Sequence, residues 1–109
     1  MAALDEYLEQ HRDEFEEDLF EFLKIPSVST DSQYQGHVAD AGQWLTDHFL
    51  KLGFEATLYP TDGHPIVYAE SPAVEGVPTV LVYGHYDVQP ADPEDEWETP
   101  AFEPDVRDG

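Results

Sequence analysis

The segment Thr79 to Pro90, TVLVYGHYDVQP, joins an apolar run to two side chains that can exchange protons or bind a metal ion. His85 and Asp87 stand two positions apart, directly after Gly84. In an extended chain, side chains two positions apart point to the same face, so an imidazole and a carboxylate would share a small volume. Gly84 allows the backbone to turn or another group to approach closely.

Local chemistry leaves three roles open for this pair. His85 could ligate a metal ion while Asp87 orients its ring, or it could act as a general base steered by the carboxylate. It could equally be a structural histidine at the end of a strand. A zinc site needs three or four ligands, so one histidine and one aspartate do not complete one.

The other histidines and the hydroxyl residues near the amino terminus are weaker candidates. Metal-binding histidines normally occur in spaced sets, and none of the remaining four belongs to one. We interpret these four as structural or exposed: His11, His37, His48 and His64. The loop hydroxyls lack the G-x-S-x-G elbow of a serine nucleophile: Ser27, Ser29 and Thr30.

Two helices precede the motif. Residues 4–24 have apolar side chains at three-to-four spacing and predict one amphipathic helix that packs on a sheet and stops before Pro26. Residues 37–52 predict a second helix, with Gly53 at its carboxyl-terminal cap. Its predicted buried stripe is Val38, Ala41, Leu45, Phe49 and Leu52.

Strand character follows the second helix. FEATLYP and PIVYAE predict two strands joined by the turn TDGHP. Residues 79–84 are apolar on both faces, which is typical of a central strand in a sheet covered by helices. This order of elements predicts an α/β fold with helices packed on a mixed β-sheet.

The last segment, FEPDVRDG, predicts a strand entering an Asp-Gly turn; because no strand returns, we expect a longer protein.

The charge is strongly negative. Asp and Glu total 25 against 4 Lys and Arg, which gives a net charge of −21, and 12 of the acids fall in residues 1–54 and 13 in residues 55–109. An even spread of acids indicates a surface adapted to high salt. Nucleic acid is excluded as a partner because no basic patch exists.

No apolar run approaches the ~20 residues of a membrane helix. We expect a cytoplasmic protein, because the chain has neither cysteine nor a secretory leader.

Residues 80–104 closely resemble the first metal motif of the zinc exopeptidases that include carnosinase-like dipeptidases, glutamate carboxypeptidase, aminoacylase and acetylornithine deacetylase. The shared pattern is an apolar strand, G-H-x-D, a Trp and Pro-x-Phe: Gly84, His85, Asp87, Trp97, Pro100 and Phe102. Tyr86 with the following Val-Gln-Pro is similar to the dipeptidase branch, as are the amino-terminal helix, the IPSVS loop and the second helix.

The resemblance implies that residues 1–109 are the truncated amino-terminal portion of a phosphorylase/hydrolase-like catalytic domain. It implies hydrolysis of the amide bond of dipeptides or small peptides by a centre of two zinc ions, or of another divalent ion such as cobalt or manganese. His85 would be a metal ligand, and Asp87 a catalytic residue that holds the imidazole and tunes the metal. The other ligands and a glutamate base would follow Gly109. The resemblance is compatible with a homodimeric parent protein.

Two other functions stay open. The parent could be an N-acyl amino acid deacylase of the same family, although Tyr86 and Gln89 favour the dipeptidases. The chain could also be a non-catalytic acidic α/β fragment.

The resemblance implies that Trp97, Pro100 and Phe102 pack a loop behind the site. Residues 92–98 lack the glycine and spacing of a calcium loop and predict a solvated acidic loop.

We expect the parent protein to be more stable in molar salt than in dilute buffer. Its acidic side chains repel one another over a Debye length of about 10 Å at 0.1 M salt but only about 3 Å at 1 M. Thermal unfolding across a salt series measures this effect. A melting temperature that stays flat or falls as salt is added would contradict salt adaptation.

Overall fold

A computed structural model describes all residues from Met1 to Gly109. Its helices are α1 (Ala2–Gln10), α2 (Arg12–Leu23) and α3 (Gln35–Lys51), and its strands are β1 (Glu55–Tyr59) and β2 (Ile66–Glu70). Short 3-10 turns occupy Ser32–Tyr34 and Glu94–Glu96. The chain forms two compact units, residues 26–90 and residues 1–25 with 91–109. The α/β class predicted from the sequence is confirmed, with helices and a two-stranded antiparallel sheet.

The unit of residues 26–90 is built on α3 packed against the hairpin of β1 and β2. Half-buried and exposed residues alternate along both strands, as expected when one sheet face is covered. The antiparallel register pairs Leu58 with Val67 on the half-buried face. Gly42 of α3 lies against this face, and a Cβ atom at that position would stand 3.0 Å from Leu58 Cδ1. The small residue therefore lets helix and sheet approach closely.

The carboxyl terminus of α3 ends as the sequence predicts. Gly53 has φ +85°, in the left-handed region that glycine adopts without a steric penalty. Its N–H donates to the Leu50 carbonyl, and the Phe54 N–H donates to the Phe49 carbonyl, both at 3.0 Å. The rings of Phe49 and Phe54 lie 5.4 Å apart. These two bonds and the apolar contact form a Schellman motif, which satisfies the last carbonyls of the helix.

The buried stripe of α3 differs in part from the prediction. Val38 and Ala41 are buried as expected, but Leu52 is exposed, and the buried positions also include Gly42 and Thr46. The Thr46 hydroxyl donates to the Gly42 carbonyl at 2.8 Å, so this polar side chain is satisfied within the helix. Hydrophobicity alone did not indicate Thr46 because its burial depends on this local bond.

The prediction of an interior strand at residues 79–84 is wrong for this chain. The segment pairs with no other strand, and the apolar side chains from Val80 to Tyr83 are 79% to 91% exposed. The physical reason is that a strand is defined by hydrogen bonds to a neighbour, and β1 and β2 pair only with each other. The apolar pattern is therefore present without the sheet that would bury it.

In the other unit, the amino-terminal helix is two helices rather than one. The backbone departs from helical geometry at His11, whose φ and ψ are −105° and 9°. The His11 ring packs on Tyr7 at 4.3 Å, and its Nδ1 lies 2.6 Å from a Glu14 carboxylate oxygen. No residue of α1 or α2 is buried, so the expected burial of the apolar stripe is wrong for this chain.

The carboxyl-terminal part of this unit has no strand. Residues 102–109 are irregular, although Asp108 and Gly109 both have the positive φ expected of an Asp-Gly turn. Residues 92–98 are all exposed, which confirms a solvated acidic loop. Trp97 donates its indole N–H to the Ala91 carbonyl at 2.8 Å. The expected place of Trp97 behind the site stays a prediction.

No helix of the chain has the length and apolar character needed to span a membrane.

We expect Gly53→Ala to destabilise the unit by about 1 kcal/mol or more, because a Cβ atom is strained at this positive φ. Gly36→Ala is the matched control. Gly36 lies in the first turn of α3 with open space where a Cβ would go, so alanine there should be neutral or slightly stabilising. Urea unfolding of the three proteins measures the difference. Equal midpoints for Gly53→Ala and Gly36→Ala would contradict the assignment of the cap.

Candidate metal site

Two short backbone segments run side by side next to the predicted pair of His85 and Asp87. Val28 and Val88 form a parallel bridge, and the Val88 N–H donates to the Ser27 carbonyl at 3.0 Å. The Ser27 hydroxyl also donates to the Tyr86 carbonyl at 3.0 Å. Ser27 and Val28 are buried. The IPSVS loop therefore fixes the backbone on both sides of Asp87.

The structure brings His85 and Asp87 together, as their spacing predicts. His85 Nδ1 lies 2.9 Å from Asp87 Oδ1 and 3.1 Å from the Asp87 backbone carbonyl oxygen. Both oxygens accept hydrogen bonds when the carboxyl is ionised, so we assign the imidazole hydrogen to Nδ1. The lone pair of the neutral ring is then on Nε2. The His85 side chain is 77% exposed, so its ring is open to a ligand.

The second carboxylate oxygen of Asp87 is held by Ser29. The Ser29 hydroxyl donates to Asp87 Oδ2 at 2.5 Å. This bond is the largest cause of the lowered pKa of Asp87; burial opposes it, and the His85 hydrogen bond adds to it. Because its pKa is lower in the folded state, ionised Asp87 stabilises the fold above the unfolded-state pKa. That contribution is lost as pH falls through the lowered pKa.

Tyr86 anchors the segment between the two ionisable residues. Its hydroxyl donates to the Pro65 carbonyl at 2.6 Å, which ties the motif to the turn between β1 and β2. Burial raises the pKa of Tyr86, and the charge of Asp87 raises it further. The phenol therefore stays a neutral hydrogen-bond donor. Alternation along the chain sends Tyr86 inward while its two neighbours turn to the opposite side.

The remaining histidines have other partners. His37 Nδ1 lies 3.8 Å from an Asp40 carboxylate oxygen, and the His48 ring stacks on Trp44 at 4.9 Å. His64 Nε2 lies 3.0 Å from the Ser29 carbonyl oxygen. Nowhere in residues 1–109 do three or more His, Cys, Asp and Glu side chains form a group that could hold a metal ion. The donor chemistry of His85 fits one ligand of a metal site, and Asp87 fits the group that orients that ligand.

Sequence reasoning missed the part that Ser29 and His64 play around the pair. The sequence pattern around Ser29 only argues against a nucleophile, and the isolated His64 indicates a structural or exposed histidine. Ser29 and Asp87 are 58 positions apart, and His64 and Ser29 are 35 apart, so no local pattern connects them. The sequence contained one indication of Ser29, the IPSVS loop. The resemblance to the dipeptidase branch includes this loop but assigns no function to it.

No protein-family profile matches the chain. It is 34% identical over 112 residues to a Cys-Gly metallodipeptidase of Schizosaccharomyces pombe, covering 94% of this chain and 24% of the relative. A succinyl-diaminopimelate desuccinylase of Hahella chejuensis is 34% identical over 89 residues, covering 82% of this chain and 21% of the relative. The chain spans about a quarter of the length of these metallodipeptidase relatives.

Two solved structures share the fold. The dipeptidase Dug1p of Saccharomyces cerevisiae has a TM-score of 0.80 and 29% identity, over 88% of this chain and 22% of that protein. The M20 family metallo-carboxypeptidase Sso-CP2 of Sulfolobus solfataricus has a TM-score of 0.72 and 41% identity, over 83% of this chain and 20% of that protein. Sequence and structure thus agree with the resemblance predicted from the G-H-x-D motif. Over most of its length, the chain is homologous to the metallopeptidases that these dipeptidases and the M20 carboxypeptidase represent.

Proposed function

We propose that the protein containing this chain hydrolyses the amide bond of dipeptides or small peptides, using a divalent metal ion that His85 helps to bind. The observation that carries this proposal is the hydrogen bond between His85 Nδ1 and Asp87, which leaves Nε2 available on an exposed ring. Metal-ligating histidines almost always donate their other N–H to a carboxylate, a carbonyl or water. The names of the relatives support a peptidase.

Each residue of the pair has a separate task in this proposal. His85 supplies a neutral nitrogen donor. Asp87 holds the ring in the tautomer and orientation that a metal requires, and its negative charge makes the imidazole a stronger donor. Asp87, predicted as a catalytic residue, thus acts through His85. When bound, the metal ion would supply the positive charge needed to polarise a substrate carbonyl and to activate water.

Zinc is the metal we propose, because imidazole nitrogen is among its preferred ligands, with cobalt or manganese as substitutes. The resemblance supports two ions. Since no complete ligand set is present in residues 1–109, the other ligands and the general base would come from other segments of the parent protein. A Cys-Gly dipeptide is the natural first substrate to test, given the names of the relatives. A cytoplasmic location and a homodimer stay predictions.

An N-acyl amino acid deacylase is the second candidate. The similarity to a succinyl-diaminopimelate desuccinylase favours it, because that name describes removal of an acyl group from an amino compound. Both reactions hydrolyse an amide bond and could use the same metal ligand. Kinetics of the parent protein with Cys-Gly and with an N-succinyl amino acid separate the two. A higher kcat/KM for the succinyl substrate would favour the deacylase.

We expect the parent protein to lose peptidase activity on treatment with a chelator and to regain it when zinc, cobalt or manganese is added. The reason is that the metal supplies both the activated water and the charge stabilisation. Dipeptide hydrolysis before and after dialysis against chelator measures this. Activity that resists the chelator would rule out a metallopeptidase.

We expect His85→Ala to abolish most turnover, because it removes the nitrogen donor. Asp87→Asn keeps the shape but loses the charge and should reduce metal affinity or activity about 10–100-fold, as changes to such partners generally do. His37→Ala is the control, since His37 is an exposed imidazole that also faces a carboxylate. A His85→Ala protein as active as the His37→Ala protein would exclude His85 as a ligand.

A further inference from the structure

We infer that Ser29 and His64 are positioning residues for the His85–Asp87 pair, acting through a continuous chain of hydrogen bonds. This inference rests on the proposed function, because it assigns both residues to the metal site proposed above. The chain runs from the His64 ring to the Ser29 carbonyl, from the Ser29 hydroxyl to Asp87, and from Asp87 to the His85 ring.

The first step concerns the orientation of the Asp87 carboxylate. A carboxylate bonded on one oxygen alone can turn about its own axis and offer either oxygen to the imidazole. Here Oδ2 receives the Ser29 hydroxyl at 2.5 Å while Oδ1 receives His85 Nδ1 at 2.9 Å. Two bonds on opposite oxygens fix the plane of the carboxylate. The direction in which His85 presents Nε2 therefore depends on Ser29.

The second step concerns what fixes Ser29. Its neighbour Val28 is buried and bridged to Val88, which sets the backbone on one side. On the other side, the Ser29 carbonyl lies 3.0 Å from His64 Nε2. A carbonyl can only accept, so His64 carries its hydrogen on Nε2. The two rings therefore hold opposite tautomers, Nε2–H at His64 and Nδ1–H at His85.

The third step concerns how the turn holds His64. The Thr61 hydroxyl donates to the His64 carbonyl at 2.8 Å and accepts from the Gly63 N–H at 3.0 Å, so the turn is braced from within. The adjacent Pro65 carbonyl receives the Tyr86 hydroxyl. The turn between β1 and β2 therefore meets the site segments at two points. The hairpin, in addition to the loop, therefore supports the orientation of the carboxylate.

The test is nitrogen NMR of the histidine rings in this chain, in alkaline buffer where imidazoles are generally neutral. We expect His85 to be mainly the Nδ1–H tautomer in the unaltered chain. Ser29→Ala should produce a mixture of tautomers at His85, and Ser29→Thr, which keeps the hydroxyl, should restore the single form. Ser71→Ala, in an exposed loop, is the control and should change nothing at His85.

Zinc ion alone is the second probe. Titration followed at the His85 ring signals, with the exposed His37 ring as internal reference, gives a site-specific affinity. We expect Ser29→Ala to weaken it by about 10-fold, the lower end of the effect of such partners, and Ser29→Thr to recover it. His64→Phe should cause a smaller loss in the same direction, whereas His64→Gln keeps a donor near Nε2 and should stay close to the unaltered chain.

An unchanged His85 tautomer and zinc affinity in folded Ser29→Ala would overturn the inference, even if the parent proves to be a metallopeptidase. If Ser29→Ala does not fold, the two His64 variants decide: equal zinc affinity at His85 for His64→Phe and His64→Gln overturns it, and a gap between them supports it. Chelator-resistant hydrolysis by the parent instead overturns the proposed function, and the NMR result does not depend on that assay.

Discussion

The hydrogen bond between the Val88 N–H and the Ser27 carbonyl is the contact on which the rest of the site depends. It joins two segments about 60 positions apart in the chain and sets them parallel for the length of one bridge. This alignment brings the Ser29 hydroxyl to the Asp87 carboxylate and the Ser27 hydroxyl to the Tyr86 carbonyl. A slip of one residue would turn the side chains of one segment to the opposite face and leave the carboxylate without its partner.

The sequence was sufficient to predict the elements whose cause is local. Gly53 marks the end of α3 because only a residue tolerant of positive φ fits the Schellman motif there, and the alternating runs give β1 and β2 with the expected turn between them. The proximity of His85 and Asp87 also followed from their spacing alone. Each of these features depends on residues that lie within about 15 positions of one another in the chain.

The features that the sequence did not reveal depend on distant partners. An apolar run at residues 79–84 predicts a strand, but whether it is one depends on a neighbour that β1 and β2 do not provide. The stripe of α1 and α2 predicts a buried face, but it cannot say what would cover that face. Ser29 gave no sign of its role because its partner lies 58 positions away. Sequence patterns identify the surface to be buried, while the contacts that bury it are set by tertiary structure.

The hydrogen bonds of the proposed metal site do not involve the exposed apolar segment that precedes it. Gly84 separates the unpaired residues 79–83 from His85. Asp87 bonds the His85 ring and is itself held by Ser29, and all three residues lie within the unit of residues 26–90. The imidazole is therefore oriented by these bonds alone. Because ordering a side chain costs free energy, a donor that is already oriented retains more of the binding energy of the metal. In the function proposed above, the histidine would be the fixed point around which the other metal ligands assemble.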